Sequence, residues 1–109
     1  MRVELLFWAG CPSYPKALSD LRDALREAGL DPHCVVVREI RTQADAEAEG
    51  FVGSPTIRID GLDVQQPAGD EPVALACRVY RRRDGRISPT PDPADLRDAL
   101  STRASAART

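Results

Sequence analysis

Cys11 stands between Gly10 and Pro12, directly after the apolar run Leu5-Leu6-Phe7-Trp8-Ala9. A thiol placed where a strand gives way to a helix faces unpaired backbone amides and the positive end of the helix dipole. Both favour thiolate over thiol and can pull a cysteine pKa well below about 8.5. A thiolate attacks disulfides and binds soft metals, so Cys11 is the expected nucleophile, in a turn that Gly10 and Pro12 are expected to expose. The plain competing reading is a small buried residue at a strand–helix junction. Further along, Phe51-Val52-Gly53-Ser54-Pro55-Thr56 leads into a second strand with a proline at its start.

The remaining candidates are weaker. The chain has three cysteines, an odd number that argues against a complete disulfide framework. Three residues after Cys11, where a dithiol motif would place its second sulfur, stands Tyr14. A mixed disulfide on Cys11 therefore cannot be resolved within the motif. Resolution falls either to a small thiol such as glutathione or to Cys77, should its segment fold back over the site. Cys77 has an equally simple alternative, as a small hydrophobe on an apolar face with Val73, Leu75 and Val79. Cys34 opens a β-branched run and reads as structural, while His33, after Pro32, reads as a surface residue. No Cys-x-x-Cys, His-x-x-x-His or acidic calcium loop is present. An all-protein zinc or calcium site is not expected, nor is any cofactor.

The elements that must position Cys11 follow from periodicity. Residues 3–8 are apolar apart from Glu4, which suits a strand covered on both faces. Tyr14, Leu18, Leu21, Leu25 and Ala28 mark one stripe of a helix with Pro12 in its first turn and Gly29 as its stop. Cys34–Ile40 reads as a second strand, parallel to the first. Thr42-Gln43-Ala44-Asp45 opens a short helix ending at Gly50. Thr56–Asp60 alternates, and Asp60-Gly61 predicts a hairpin into Leu62-Asp63-Val64. Residues 65–72 have loop composition. Residues 73–80 alternate, predicting either an extra extended segment or a short helix. Asp84-Gly85 predicts a turn, and Asp92-Pro93-Ala94-Asp95 caps a last helix with Leu96, Ala99 and Leu100 on one face. The expectation is one α/β domain over residues 1–103, in the order βαβαββα with an extra segment at about 65–92, and a frayed tail at 104–109.

This pattern resembles the thioredoxin-like superfamily. The likeness rests on Phe7-Trp8-Ala9 before the thiol, Cys11-Pro12 at the helix start and Ser54-Pro55-Thr56 before the third strand. It implies a single thioredoxin-like domain in which Pro55 is cis and lies against the sulfur, leaving a neighbouring backbone edge free for an extended substrate. On that basis Pro12, Tyr14, Ser54, Pro55 and Thr56 are the expected substrate-binding residues, with Trp8 and Tyr14 packing around the sulfur. The Gly-Cys-Pro at 10–12, Gly-Ser-Pro-Thr at 53–56 and Cys-Arg-x-Tyr at 77–80 are also similar to small bacterial thioredoxin-fold proteins labelled alkylmercury lyase-like. Organomercurial lyases use two cysteines and an aspartate, which implies Cys11 and Cys77 as the thiolates and leaves Asp63 as a guess for the acid.

Composition bounds the partners. With 15 basic and 17 acidic residues among 109, the net charge of −2 provides no field for nucleic acid or an anionic membrane. Arg81-Arg82-Arg83 reads as a solvated turn. The N-terminal apolar run is too short for a signal peptide or membrane span, so a cytoplasmic protein is expected. Three functions follow. The first is thiol–disulfide exchange with protein or small-molecule partners through Cys11. The second is a soft-metal or organomercurial protein using Cys11 and Cys77. The third is a non-catalytic interaction module.

Overall fold

A computed structural model of the chain describes residues 1–67, 69 and 71–107, and its fold is mixed α/β with three helices and two sheets. Strand β1 (Val3–Phe7) lies inside a four-stranded sheet of order β2-β1-β3-β4. It runs parallel to β2 (Val36–Glu39) and antiparallel to β3 (Thr56–Ile59). Successive side chains of a strand point to opposite faces. Val3 and Leu5 accordingly enter the main core with Leu21, Leu25, Ile57, Leu96 and Leu100, whereas Leu6 joins a second cluster with Ile40, Ala46 and Phe51. Both faces of β1 are covered, which is why its sequence is almost wholly apolar.

Helix α1 (Tyr14–Glu27) buries Ala17, Leu21, Ala24 and Leu25, while Tyr14 and Leu18 pack at the margin of the core. It begins later than the sequence predicts. Ser13 is the N-cap and Pro15, not Pro12, occupies the first turn, because one turn brings Cys11 N–H back to Trp8 O at 3.0 Å and Pro12 and Ser13 form a second turn before the helix starts. The helix stops as expected at Gly29, whose φ of 75° lets Leu30 N–H reach Leu25 O and Gly29 N–H reach Arg26 O.

Helix α2 (Gln43–Glu49) is capped by Thr42 Oγ1 accepting from Asp45 N–H at 3.1 Å and ends at Gly50. The hairpin from β3 to β4 (Leu62–Asp63) turns on Asp60 and Gly61, both at positive φ (52° and 82°), the pairing whose twist matches the strands. Strand β2 is shorter than Cys34–Ile40. Its start is taken by a turn in which Cys34 N–H bonds to Asp31 O, and Cys34 is exposed rather than structural.

The extra segment is neither a helix nor a continuous strand. Residues 73–79 run irregularly with one bridge at Cys77, then form a second sheet of β5 (Tyr80–Arg81) and β6 (Ile87–Ser88) around Asp84-Gly85. Its burial is inverted relative to the alternation, with Arg78 and Tyr80 buried and Cys77 and Val79 exposed. The reason is polar. Arg78 finds a carboxylate inside, and Tyr80 fills the interior while its hydroxyl bonds to Pro55 O. Helix α3 (Pro93–Ala107) starts at Asp92, whose Oδ1 accepts from Ala94 N–H, and places Leu96 and Leu100 in the core. It runs past residue 103 into the segment expected to fray, where alanine, the strongest helix former, recurs. Positions 108 and 109 of that tail, like 68 and 70 of the 65–72 loop, lie outside the described residues. Among the described residues no helix is long and apolar enough to cross a membrane.

Candidate functional site

Cys11 follows β1 by a short turn and precedes the N-cap of α1. Gly10 is required there by packing, since a Cβ at that position would lie 2.4 Å from the Trp8 ring. The turn does not expose the sulfur, contrary to the sequence reading, for Cys11 is only 1% accessible. The chain covers it from across the sheet. Cys11 Sγ–H donates to Ser54 O at 3.3 Å, and the same oxygen accepts Arg78 N–H at 2.8 Å. Ser54 N–H in turn donates to Ala76 O at 2.8 Å, so Ser54 and Cys77 form an isolated parallel bridge. The Ser54–Pro55 peptide bond is cis.

Residues 76–78 therefore occupy the backbone edge that the sequence likeness leaves free for a substrate. The other expected substrate-binding residues are equally engaged by the protein itself. Ser54, Pro55 and Thr56 are buried; Pro55 O accepts from Tyr80 Oη at 2.5 Å, and Thr56 Oγ1 donates to Gly53 O at 2.7 Å. Tyr14 stacks on Phe7 with ring centroids 4.2 Å apart, and Trp8 packs against the Leu6–Phe51 cluster. Pro12 is exposed beside the site.

Two thiols meet at this place. Burial pushes the Cys11 thiol up. Four donors outweigh that and hold it below the ordinary thiol range: the Ser13 backbone N–H, the Ser54 hydroxyl, the Cys77 thiol and the Ser13 hydroxyl. Ser13 makes no side-chain cap on α1, which leaves its hydroxyl for the sulfur. Ser54 Oγ is buried with no hydrogen-bond partner of ordinary geometry among the described residues. An ionised sulfur at Cys11 supplies the acceptor that this hydroxyl lacks. Cys77 shows the complementary behaviour. Its role as hydrogen-bond donor to Cys11, then burial, then the charge on Cys11 push its thiol up. The site thus has one covered sulfur that favours ionisation and one exposed sulfur that keeps its proton beside it.

What holds Cys77 there is a group of residues of which the sequence assigns a role to Asp63 alone, and a different one. Arg78 Nη1 and Nη2 bind Asp63 Oδ2 and Oδ1 at 2.7 and 3.1 Å, and Nη2 also donates to Gln65 O. Its guanidinium lies 4.4 Å from the centre of the Tyr80 ring, within cation–π range. Gly53, at φ 140°, admits this segment: a Cβ there would stand 2.9 Å from Arg78 Cβ. Asp63, considered above as a proton donor, has both carboxylate oxygens on Arg78. The Cys-Arg-x-Tyr pattern was the available signal, but only for the cysteine.

Among the described residues no group of three or more His, Cys, Asp or Glu side chains could hold a metal ion. Comparison with models of protein families, with curated proteins and with solved structures finds no match to this chain.

Proposed function

We propose that this chain is a thioredoxin-like thiol–disulfide exchange protein whose redox pair is Cys11 and Cys77. The observation that carries the reading is the convergence of Cys11 Sγ and Arg78 N–H on one oxygen, Ser54 O, with Cys77 bridged to Ser54 and its thiol a donor to Cys11. This supplies from a distant segment the second thiol that Tyr14 displaces from the local motif. Reduced, the pair shares a proton. Oxidised, Cys11 Sγ and Cys77 Sγ form one disulfide; two electrons and the shared proton pass to an acceptor disulfide, which takes a second proton from solvent and leaves as two thiols.

Several features support the reading. The sheet order β2-β1-β3-β4, with β1 parallel to β2 and antiparallel to β3, sets the Cys11 loop beside the start of β3, as the sequence likeness requires. A depressed pKa at Cys11 keeps it ready as the thiolate that attacks Cys77 Sγ once Cys77 carries a substrate sulfur. Exposed Cys34 stands apart from the mechanism. The test is equilibration of the Cys34→Ser protein in glutathione buffers of graded redox ratio, read by mass spectrometry. A single two-electron transition to a species two hydrogens lighter supports the pair. Accumulation of only a glutathione adduct would leave a monothiol and end the reading.

A further inference from the structure

We infer, resting on the redox pair just proposed, that Cys77 is the sulfur that first meets the substrate and that the substrate is a small non-peptide disulfide. The argument is one of access. Cys11 is covered, while Cys77 is exposed and adjoins it. A peptide laid along Ser54 would need the N–H and C=O that already bond to Ala76 O and Arg78 N–H. Displacing residues 76–78 to free them would also pull on Arg78, whose guanidinium is buried against Asp63, Gln65 O and the Tyr80 ring. Buried charge that loses its partner is strongly disfavoured. A small disulfide needs none of this, because it can reach Cys77 from solvent with the segment in place.

The steps balance. Cys77 Sγ attacks one sulfur of R–S–S–R, its proton passing to the Cys11 sulfur beside it; the disulfide S–S bond breaks and R–S⁻ leaves. That thiolate takes the proton from Cys11. Cys11 Sγ then attacks Cys77 Sγ, displacing the second R–S⁻, which is protonated by solvent. The protein dithiol is oxidised by two electrons and one small disulfide is reduced to two thiols. The raised affinity of Cys77 for its proton is offset by the acceptor next to it.

The test uses the full-length protein in the Cys34→Ser background, with bis(2-hydroxyethyl) disulfide as the small probe and insulin as the peptide disulfide. Cys11→Ser should trap a mercaptoethanol adduct on Cys77. Cys77→Ser should be modified at Cys11 about tenfold more slowly or less, since a covered thiol reacts only through local opening. The intact pair should reduce the small probe at least about tenfold faster than insulin for the same reason. Cys11→Ala, checked by circular dichroism, replaces Cys11→Ser if the latter fails to fold. Modification of Cys11 as fast as of Cys77, or insulin reduction at a comparable rate, would overturn the inference while leaving the redox pair intact. Failure of the intact protein to form a disulfide between Cys11 and Cys77 would remove both.

Discussion

Ser54 and Cys77 face one another across a parallel bridge, and both backbone groups of Ser54 are spent on the residues flanking Cys77. Because Ser54 O also accepts from Cys11 Sγ at 3.3 Å, this bridge ties the segment that carries the second cysteine to the first. The consequences can be tested one residue at a time.

The two thiols should titrate as a pair. The first proton lost leaves its charge on Cys11, and that charge helps hold the proton on Cys77. Cys77→Ala removes one donor to the Cys11 thiolate, so the midpoint of Cys11 alkylation should rise. Cys11→Ala should lower the Cys77 midpoint, because it removes two of the three causes that raise it and leaves only burial. Site-resolved iodoacetamide labelling against pH measures both, and an unmoved Cys11 midpoint in Cys77→Ala would contradict the pairing.

The same shifts set the pH dependence of stability. Cys11 titrates lower folded than unfolded, so its contribution is complete above the unfolded thiol value of about 8.5 and is lost as pH falls through the folded value. Cys77 titrates higher folded, so its contribution is complete below that unfolded value and is lost as pH rises through the folded one. Denaturant melts of the Cys77→Ala protein, which keeps the Ser13 and Ser54 donors to Cys11, should therefore show stability rising as pH climbs toward about 8.5, a rise that the Cys11→Ala protein should lack. Identical pH profiles for the two variants would refute the assignment of opposite shifts.

Arg78 and Asp63 anchor the segment. Their side chains are 3% and 9% accessible, so removing one partner strands a buried charge. Arg78→Gln should cost about 3–5 kcal/mol in denaturant unfolding, and Tyr80→Phe, which loses one buried hydrogen bond to Pro55 O, about 1–2 kcal/mol. Arg78→Gln should also speed alkylation of Cys11 under native conditions. A fully folded Arg78→Gln protein with Cys11 still protected would show that the salt bridge does not position Cys77.

Gly53 is the point of closest approach between the two segments. Gly53→Ala combines an unfavourable φ of 140° with a Cβ 2.9 Å from Arg78 Cβ, and should cost about 1–3 kcal/mol and loosen the cover on Cys11. Gly85→Ala is the control, because its φ of 89° is also unfavourable but no atom lies near the added methyl. Both should destabilise in thermal melts, yet only Gly53→Ala should raise Cys11 labelling. Equal labelling in the two would argue that strain alone governs access.

Two adjacent sulfurs without a third ligand among the described residues suit a linear, two-coordinate soft cation. In the Cys34→Ser background one mercury(II) per chain should bind, and either Cys11→Ala or Cys77→Ala should weaken it. Titration followed by thiolate–mercury absorbance reads the result, and undiminished affinity in Cys77→Ala would exclude the pair as a metal site.

Much of the framework is legible because its determinants are local. The stripe of α1, Gly29 at its end, the Thr42 cap and the Asp60-Gly61 turn each act within a few residues, and each is found where the sequence puts it. Joining Cys11 and the Ser54–Thr56 stretch into one site rests instead on the family resemblance, since no local signal links a thiol in a strand–helix turn to a proline at a strand start over forty residues later. The face on which residues 73–80 bury was not legible. Alternation assigns the interior to Val73, Leu75, Cys77 and Val79, but a single arginine finding a carboxylate on β4 reverses the phase at its C-terminal end. No local pattern announces a salt bridge between Asp63 and Arg78. The cover on Cys11 was missed likewise, since it depends on where a distant segment pairs.

The most direct measurement is peptide mapping of the oxidised protein. The intact chain, treated with a mild oxidant such as diamide, digested without reduction and analysed by mass spectrometry, should yield one intramolecular cross-linked pair of peptides joining Cys11 to Cys77, with Cys34 still free to alkylate. Recovery of Cys11 as a free or externally capped thiol, with Cys77 unlinked to it, would contradict the account.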